Sequence, residues 1–350
     1  MRQDKRIAII GAGIAGLSCA TQLQNAGYKV TLFEKSRGVS GRLSTRINQS
    51  WQCDHGAQYF TARDPIFAAE IQRWLNADVA RLWQPRLKVF DGVNFVAKAE
   101  KHESNHLRYV GYPRNHTPSR WLAESLHVET ETTVNEIVKV GEQWQLHSKE
   151  HGLCSEKFDR LILSIPAPQA RFLLERIHTP LLPLCDTVAM RPCIALMLNL
   201  RHTLDCEFDG LFIDRNLLSW VARDSAKPGR IRHLSKDQVS EIWILHASSD
   251  WSLANIDAPI EEIAVQMLNA FKKILQSGSS HGAATQLEHA INEYIVHRWR
   301  YADCDKFSQS GYGWDVDQNI GLCGDWLNGG KVQGAWISGY QLAQKVIHHV

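Results

Sequence analysis

Two glycine-rich turns and a few polar aromatic residues are the parts of this sequence that could do chemistry. The first turn is Gly11-Ala12-Gly13-Ile14-Ala15-Gly16, a G-x-G-x-x-G pattern, and Glu34 follows where an acidic residue is expected, about twenty residues on. Gly11 permits the tight turn, Gly13 lets a pyrophosphate approach the backbone, and Gly16 lets a helix pack closely on a strand. A helix beginning there points its N–H groups and the positive end of its dipole at the phosphates. Glu34 would accept from the adenosine ribose hydroxyls, and its charge disfavours a 2′-phosphate. The chemistry is dinucleotide binding; for the glycines alone, a structural βα turn is the competing reading.

The continuation Glu34-Lys35-Ser36-Arg37-Gly38-Val39-Ser40-Gly41-Arg42 adds guanidinium groups suited to phosphate and glycines that let the chain pass close to a long ligand. It resembles the extended signature of the amine-oxidase class of flavoproteins, with Ser40 where that class has the first glycine of Gly-Gly-Arg. Near the other end, Gly321-Leu322-Cys323-Gly324-Asp325 and Gly329-Gly330-Lys331-Val332-Gln333-Gly334-Ala335-Trp336 form a second cluster that opens the last helix. The resemblance implies that Asp325 bonds the ribityl chain or pyrophosphate, that the helix start at Gly334 faces the flavin pyrimidine edge, and that Val134 contacts adenine through its backbone. A helix N-terminus in that place stabilises negative charge at N1/C2=O and favours hydride acceptance. No Cys stands in a flavin-linking context, so noncovalent FAD is expected.

Asp54-His55-Gly56-Ala57-Gln58-Tyr59-Phe60 narrows the resemblance. Taken with Lys35-Ser36-Arg37-Gly38, Ile165-Pro166-Ala167-Pro168-Gln169, Leu245-His246-Ala247-Ser248, His297-Arg298-Trp299-Arg300-Tyr301-Ala302 and Gly324-Asp325-Trp326, the chain resembles the renalase family, most closely its bacterial type, from first strand to last helix. The resemblance implies a p-hydroxybenzoate-hydroxylase-like fold of class α/β + α+β: a Rossmann-like FAD-binding domain with an inserted, β-rich substrate domain. It implies an oxidase of misreduced nicotinamide dinucleotides, the 2- and 6-dihydro isomers of NAD(P)H, yielding NAD(P)⁺ and hydrogen peroxide. The implied cofactor-binding set is Gly11, Ala12, Gly13, Ile14, Ala15, Gly16, Glu34, Lys35, Arg42, Gln58, Tyr59, Val134, Asp325 and Gly334, and the implied catalytic set is Tyr59, His246 and Trp299.

Such a substrate needs only to lose a hydride to become an aromatic pyridinium. No proton is abstracted, so positioning, shape and electrostatics carry the reaction. Tyr59 could pack or hydrogen-bond the carboxamide end, Trp299 could stack on the ring, and His246 could orient it. Each has a plainer reading: Tyr59 as a wall, His246 as a satisfied core histidine, Trp299 and Trp336 as core. Arg223 and Lys227-Pro228-Gly229-Arg230 are read either as holding substrate phosphates or as a solvated loop. Two other classes remain open, an FAD-dependent amine oxidase using Tyr59 and Trp299 as a cage, and a non-enzymatic FAD-binding sensor.

Composition excludes other functions. Lys+Arg 39 against Asp+Glu 37 gives a net charge of +2, no footprint for nucleic acid or anionic lipid. Hydrophobic residues at 44% and charged residues at 22% fit a globular chain with a sizeable core rather than a disordered one. His102-Glu103-Ser104-Asn105-His106 matches H-E-x-x-H, but its charged flanks read as a solvated loop rather than a zinc helix, and no metal is expected. The eight cysteines form no C-x-x-C pair and read as buried thiols of a reducing compartment, with the cytoplasm as default. The charged start followed by Ile7 to Ala20 imitates a signal peptide, but Gly11, Gly13 and Gly16 make a poor apolar helix and no A-x-A-like cleavage site follows. No apolar stretch is long enough to span a bilayer.

These residues need elements to position them. The pattern predicts a strand over 6–10, a helix over 11–26 and a strand over 28–34, the βαβ start of a nucleotide domain. It also predicts a helix opened by Asp64-Pro65, a hairpin over 132–147, strands over 158–165, 188–200, 211–222, 238–248, 291–299 and 319–324, and helices over 259–275 and 334–348. Residues 276–286, rich in Gly and Ser, are expected as an exposed loop. The 350 residues suggest two domains. Residues 1–60, 104–175 and 290–350 are expected to form the FAD-binding domain, and 61–103 with 176–289 the substrate domain.

Overall fold

The computed structural model describes residues 5–96, 107–230, 233–235, 238–277 and 281–348. The strands Arg6–Ile10 and Lys29–Phe33 are apolar almost throughout and buried after their first residue, the pattern of parallel strands covered on both faces. They sit in a six-stranded sheet whose order runs Gly313–Asp315, Ile320–Leu322, Arg160–Leu163, Arg6–Ile10, Lys29–Phe33, His127–Glu129. All its pairings are parallel except that of the edge strand Gly313–Asp315. Side chains alternate across a strand. Ile7 and Ile9 therefore enter one core with the helices Ile14–Asn25 and Lys331–His348, and Ala8 and Ile10 enter another beneath the antiparallel sheet Val134–Val140, Gln143–Ser148, Gly152–Phe158.

A second, seven-stranded sheet has the order Ile291–Lys306, Ala189–Leu200, Glu241–Ala247, Leu218–Arg223, Gly210–Ile213, Leu87–Phe90, Phe95–Val96. Its alternation decides where the polar aromatics go. Trp243, Leu245 and Ala247 pack under the helices Ile260–Gln276 and His281–Ala290, whereas Ile242 and Ile244 belong to the cluster on the opposite face. His246 is in phase with the latter pair, and Trp299 joins the same cluster with Ile295. The expected class, a Rossmann-like domain combined with a β-rich part, is the one observed.

The helix Pro65–Asn76 starts where Asp64 predicts, and the Asp64 carboxylate accepts from the N–H groups of Ile66 (2.8 Å) and Phe67 (3.3 Å), a cap worth about 1 kcal/mol. Its apolar face, Phe67, Ile71 and Trp74, packs into the core of the first sheet.

Four elements differ from expectation. Residues 211–222 are a hairpin, Gly210–Ile213 against Leu218–Arg223, because Arg215 takes a left-handed turn conformation at φ 52°. Residues 281–290 are a helix rather than a loop, since Ala283, Ala284, Leu287 and Ala290 find a buried surface to cover. Gly152–Phe158 adds a third strand to the expected hairpin; it lies at the edge of that sheet, and its polar pattern carries no strand signal. The long strand Ile291–Lys306 also runs past its apolar stretch, because Ala189–Leu200 offers it a partner along its length.

Candidate active site

A cavity of about 1780 Å³ lies between the two large sheets. A pocket for one drug-sized ligand is roughly 300–1,000 Å³, so this one has room for a dinucleotide and a second planar molecule. One end is formed by the first glycine turn, at the carboxyl ends of the parallel strands, where open α/β sheets place their ligands.

The three glycines divide their tasks as the pattern requires. Gly11 has φ 99°, and a Cβ there would stand 2.4 Å from the Ser164 carbonyl oxygen. A Cβ on Gly16 would stand 2.1 Å from the Gly11 carbonyl oxygen. A Cβ on Gly13 would meet nothing within 4 Å, and its backbone is ordinary at φ −74°. Gly13 therefore keeps open a space that the fold does not fill. Gly11, Gly13, Ile14 and Ala15 line the cavity. Ala12 and Gly16 do not: Ala12 gives its N–H to Glu34, and Gly16 serves helix packing.

The Glu34 carboxylate accepts from the N–H groups of Ala12 and Ser36, each at 2.9 Å. Those bonds fix its direction while each oxygen keeps a lone pair. Lys35 lies exposed on the rim, and Val134 and Gly334 also line the cavity. Ser40 adopts the glycine conformation that its place demands, at φ 112°. It is held there by its N–H donating to Ala12 (2.9 Å) and its hydroxyl donating to the Leu43 carbonyl (2.6 Å). Arg42 forks onto Asp325 at 3.0 and 2.5 Å and also donates to the Ala302 carbonyl. Burial opposes the Arg42 charge, but the Asp325 carboxylate outweighs it and raises the pKa. The two glycine clusters are thus joined across the chain by a bidentate ion pair. Arg37 lies outside the cavity lining.

The opposite wall carries Tyr59, His246 and Trp299 together. The His55 carbonyl accepts from Trp299 Nε1 (2.8 Å) and lies 3.2 Å from His246 Nε2. The His55 ring stacks on Trp299 at 5.0 Å and meets His297 edge-on at 4.8 Å. Tyr59 packs between Trp83 and Trp220, 6.0 Å from each. Trp336 is core, packed against Phe67 and Tyr340.

Burial pushes the His55 pKa down to about 3, with His297 and Arg46 adding to it. Burial likewise lowers His246 to about 4, and burial with Arg46 lowers His297 to about 4. All three are neutral at pH 7. His116, also buried, is lowered to about 4. Between pH 6.5 and about 4 the unfolded chain takes up protons at these four histidines that the folded chain refuses. The stability they contribute is present above pH 6.5 and is lost as pH falls. Asp224, raised to about 6, runs the other way, but it is one group against four. His246 alone accounts for up to about 3 kcal/mol. The urea midpoint is expected to fall steadily from pH 7 to pH 4.5; a flat profile would show that these rings accept protons in the folded state.

Lys227 and Arg230 overturn both earlier readings, phosphate ligands and solvated loop alike. Both are buried. Lys227 Nζ sits 3.1 Å from Asp54, 2.8 Å from Asp224 and 3.1 Å from Gln58 Oε1, and Arg230 lies 2.5 Å from Asp54. Thr45 donates to the other Asp54 oxygen at 2.6 Å. Burial would raise Asp54, but Arg230 and Lys227 hold it well below the usual carboxylate range. Asp224 is pushed up to about 6 by burial and by Asp54, and its Oδ2 has no partner among the described residues. Arg223 is also committed, to Glu241 and to the carbonyls of Leu204 and Cys206. The network bolts the strand Gln52–Asp54 and Gln58, which flank His55, to the turn Asp224–Ala226 of the second sheet.

His55, His297 and the buried ion network had no role in the sequence reading. The alternation His297-x-Trp299 places both rings on one face of a strand, a signal that was legible. The ion network had none, because charges beside Pro228 and Gly229 look solvated. The eight cysteines are free thiols. No group of His, Cys, Asp or Glu among the described residues could hold a metal; the H-E-x-x-H segment lies outside them. No helix of the described residues is long and apolar enough to cross a membrane.

Residues 9–74 match a family model described as an NAD(P)-binding Rossmann-like domain. The L-amino-acid oxidase of Crotalus adamanteus is 28% identical over 126 residues, 36% of this chain and 24% of the relative. That of Pseudechis australis is 39% identical over 72 residues, 20% of this chain and 14% of the relative. The match thus spans about a quarter or less of those enzymes. Among solved structures, a candidate protoporphyrinogen oxidase from Exiguobacterium sp. 255-15 superposes with TM-score 0.74 at 14% identity, over 99% of both chains. A redesigned putrescine oxidase gives 0.70 at 12%, again over 99% of both. The chain therefore joins a Rossmann-like dinucleotide-binding start to the overall fold of these oxidases.

Proposed function

We propose that the chain is a flavin-dependent oxidase that binds FAD without a covalent link and oxidises the 2- and 6-dihydro isomers of NAD(P)H. The overall change is dihydro isomer + O₂ + H⁺ → NAD(P)⁺ + H₂O₂. FAD suits the lining: Gly13 leaves a space beside a helix N-terminus, Glu34 stands at the ribose position, and Arg42 with Asp325 links the second glycine cluster to the first. When bound, FAD supplies the hydride acceptor and the route of two electrons to O₂. Residues 1–60, 104–175 and 290–350 are assigned to holding it, and 61–103 with 176–289 to the substrate, with two exchanges that the packing requires: the helix Pro65–Asn76 goes with the first sheet and the strand Ile291–Lys306 with the second. The free thiols suit a reducing compartment, the cytoplasm.

The observation that carries this reading is the character of the far wall. Tyr59, Trp299 and three neutral histidines make an aromatic wall, and every carboxylate lining the cavity is already engaged. Glu34 takes backbone N–H groups, Asp303 pairs with Lys331, and Asp325 pairs with Arg42. A dihydropyridine losing hydride needs no base, and the pyridinium it becomes gains from the face of Trp299. A protonated amine finds no counter-ion there, and Arg46 repels it.

Arg46 also supports a second reading. It lines the cavity near His55 and His297, with no ion-pair partner among the described residues. An unpaired guanidinium beside an aromatic wall would also suit the carboxylate of an amino acid, the substrate class named for the Crotalus relative. Anaerobic mixing of the yellow protein with separated substrates decides. The 2- and 6-dihydro isomers are expected to bleach the flavin band at least about 100-fold faster than the 4-dihydro form (~3 kcal/mol of barrier). Equal rates with all three isomers, or bleaching by amino acids alone, would overturn the proposal.

A further inference from the structure

We propose that His55 and His246 form a recognition point for a primary carboxamide, His55 donating to its oxygen and His246 accepting from its N–H. This rests on the dihydronicotinamide reading above and assigns the group by which the ring is gripped.

The two tautomers carry the argument. His246 Nε2 lies 3.2 Å from the His55 carbonyl oxygen. A carbonyl only accepts, so Nε2 holds the proton and Nδ1 is left as a bare lone pair. At His55 the Nδ1 atom is sealed from solvent and has no partner. A buried N–H without an acceptor is the rarer and costlier orphan, compared with a buried lone pair. The His55 proton therefore sits on Nε2. Both residues line the cavity. They are tied to each other through the His55 carbonyl, and the stack on Trp299 fixes the His55 plane.

Two neighbouring neutral imidazoles thus offer opposite halves of a hydrogen-bonding pair, one donor and one acceptor. A primary amide on a planar ring presents the complement, a carbonyl oxygen and an N–H on one carbon. A ketone satisfies the donor but leaves the His246 lone pair facing a methyl group. A carboxylate sets a second oxygen against that lone pair.

The test uses the yellow holoprotein and three oxidised dinucleotides that differ only in the ring substituent: carboxamide, acetyl and carboxylate. Each is titrated while perturbation of the flavin visible spectrum is followed. The carboxamide is expected to bind roughly 5- to 10-fold tighter than the acetyl form, the worth of one unmade hydrogen bond. His246→Phe is expected to bring that ratio to about one. His55→Phe is expected to weaken both forms together and preserve the ratio. Because each ratio is taken within one protein, a general loss of affinity in a variant cancels. Equal binding of carboxamide and acetyl forms by the parent, or a ratio unchanged in His246→Phe, overturns the proposal. If the dihydro isomers are still oxidised in that case, the substrate reading survives without it. If no dinucleotide binds and no isomer is oxidised, both fall together.

Discussion

Gly13→Asp is expected to fold like the parent and to purify colourless. The backbone at Gly13 is ordinary, and nothing stands within 4 Å of where its side chain would start, so the fold has no objection to the substitution. The new carboxylate occupies the space kept open beside the helix N-terminus, where it collects the favourable dipole that the phosphates would use and repels them. FAD affinity is expected to fall at least about 100-fold (~3 kcal/mol), read as flavin absorbance per chain, with the thermal midpoint of the apoprotein unchanged. Gly16→Ala is the converse. Its Cβ would meet the Gly11 carbonyl at 2.1 Å, a backbone atom that cannot swing away. The helix must shift from the sheet, at a cost of about 1–3 kcal/mol, and the urea midpoint falls whether or not flavin is present. A yellow Gly13→Asp protein would remove the dinucleotide assignment of this turn.

Lys227→Met is expected to cost about 3–5 kcal/mol of stability at pH 8, because it removes the ammonium that serves two buried carboxylates and strands one of them. Arg230 still pairs with Asp54, so the uncompensated group is Asp224. The Asp224 pKa is raised already in the parent, to about 6. A raised carboxylate contributes stability below its unfolded pKa and loses it as pH rises through the folded value. Removing Lys227 raises it further, so the deficit of the variant should shrink between pH 8 and pH 5.5 in urea titrations. Adding Asp224→Asn should recover much of the loss at pH 8. A variant equally destabilised at both pH values would mean that Asp224 is not the stranded charge. The ion network also holds Gln58 through its Oε1, so the wall around His55 is expected to loosen in the same variant.

What could be read along the chain was whatever local geometry dictates. Three glycines, a strand before and after them, and Glu34 are bound to one another by the covalent spacing of a βαβ unit, so the dinucleotide end was legible without any tertiary knowledge. The Asp64 cap was legible for the same reason: its partners, Ile66 and Phe67, are two and three residues away. His246 and Trp299 could be named as a pair from motif alone, but their meeting at one carbonyl is a product of the second sheet, which brings residues 55, 246 and 299 together.

The rest depended on what burial does to residues whose sequence neighbours say nothing about it. Lys227 and Arg230 flank a Pro-Gly turn and look like surface charges; only the folded chain supplies the Asp54 and Asp224 carboxylates that let them go inside. Residues 281–290 look like a linker until the Ile260–Gln276 helix offers an apolar groove. His55 stands beside an ionised aspartate in sequence, yet its ring is neutral because desolvation, with His297 and Arg46 adding to it, outweighs that one charge. Local pattern determines which groups are present and how each element is phased. Desolvation and long-range pairing, which exist only after collapse, determine which of those groups carry a proton and which face the cavity.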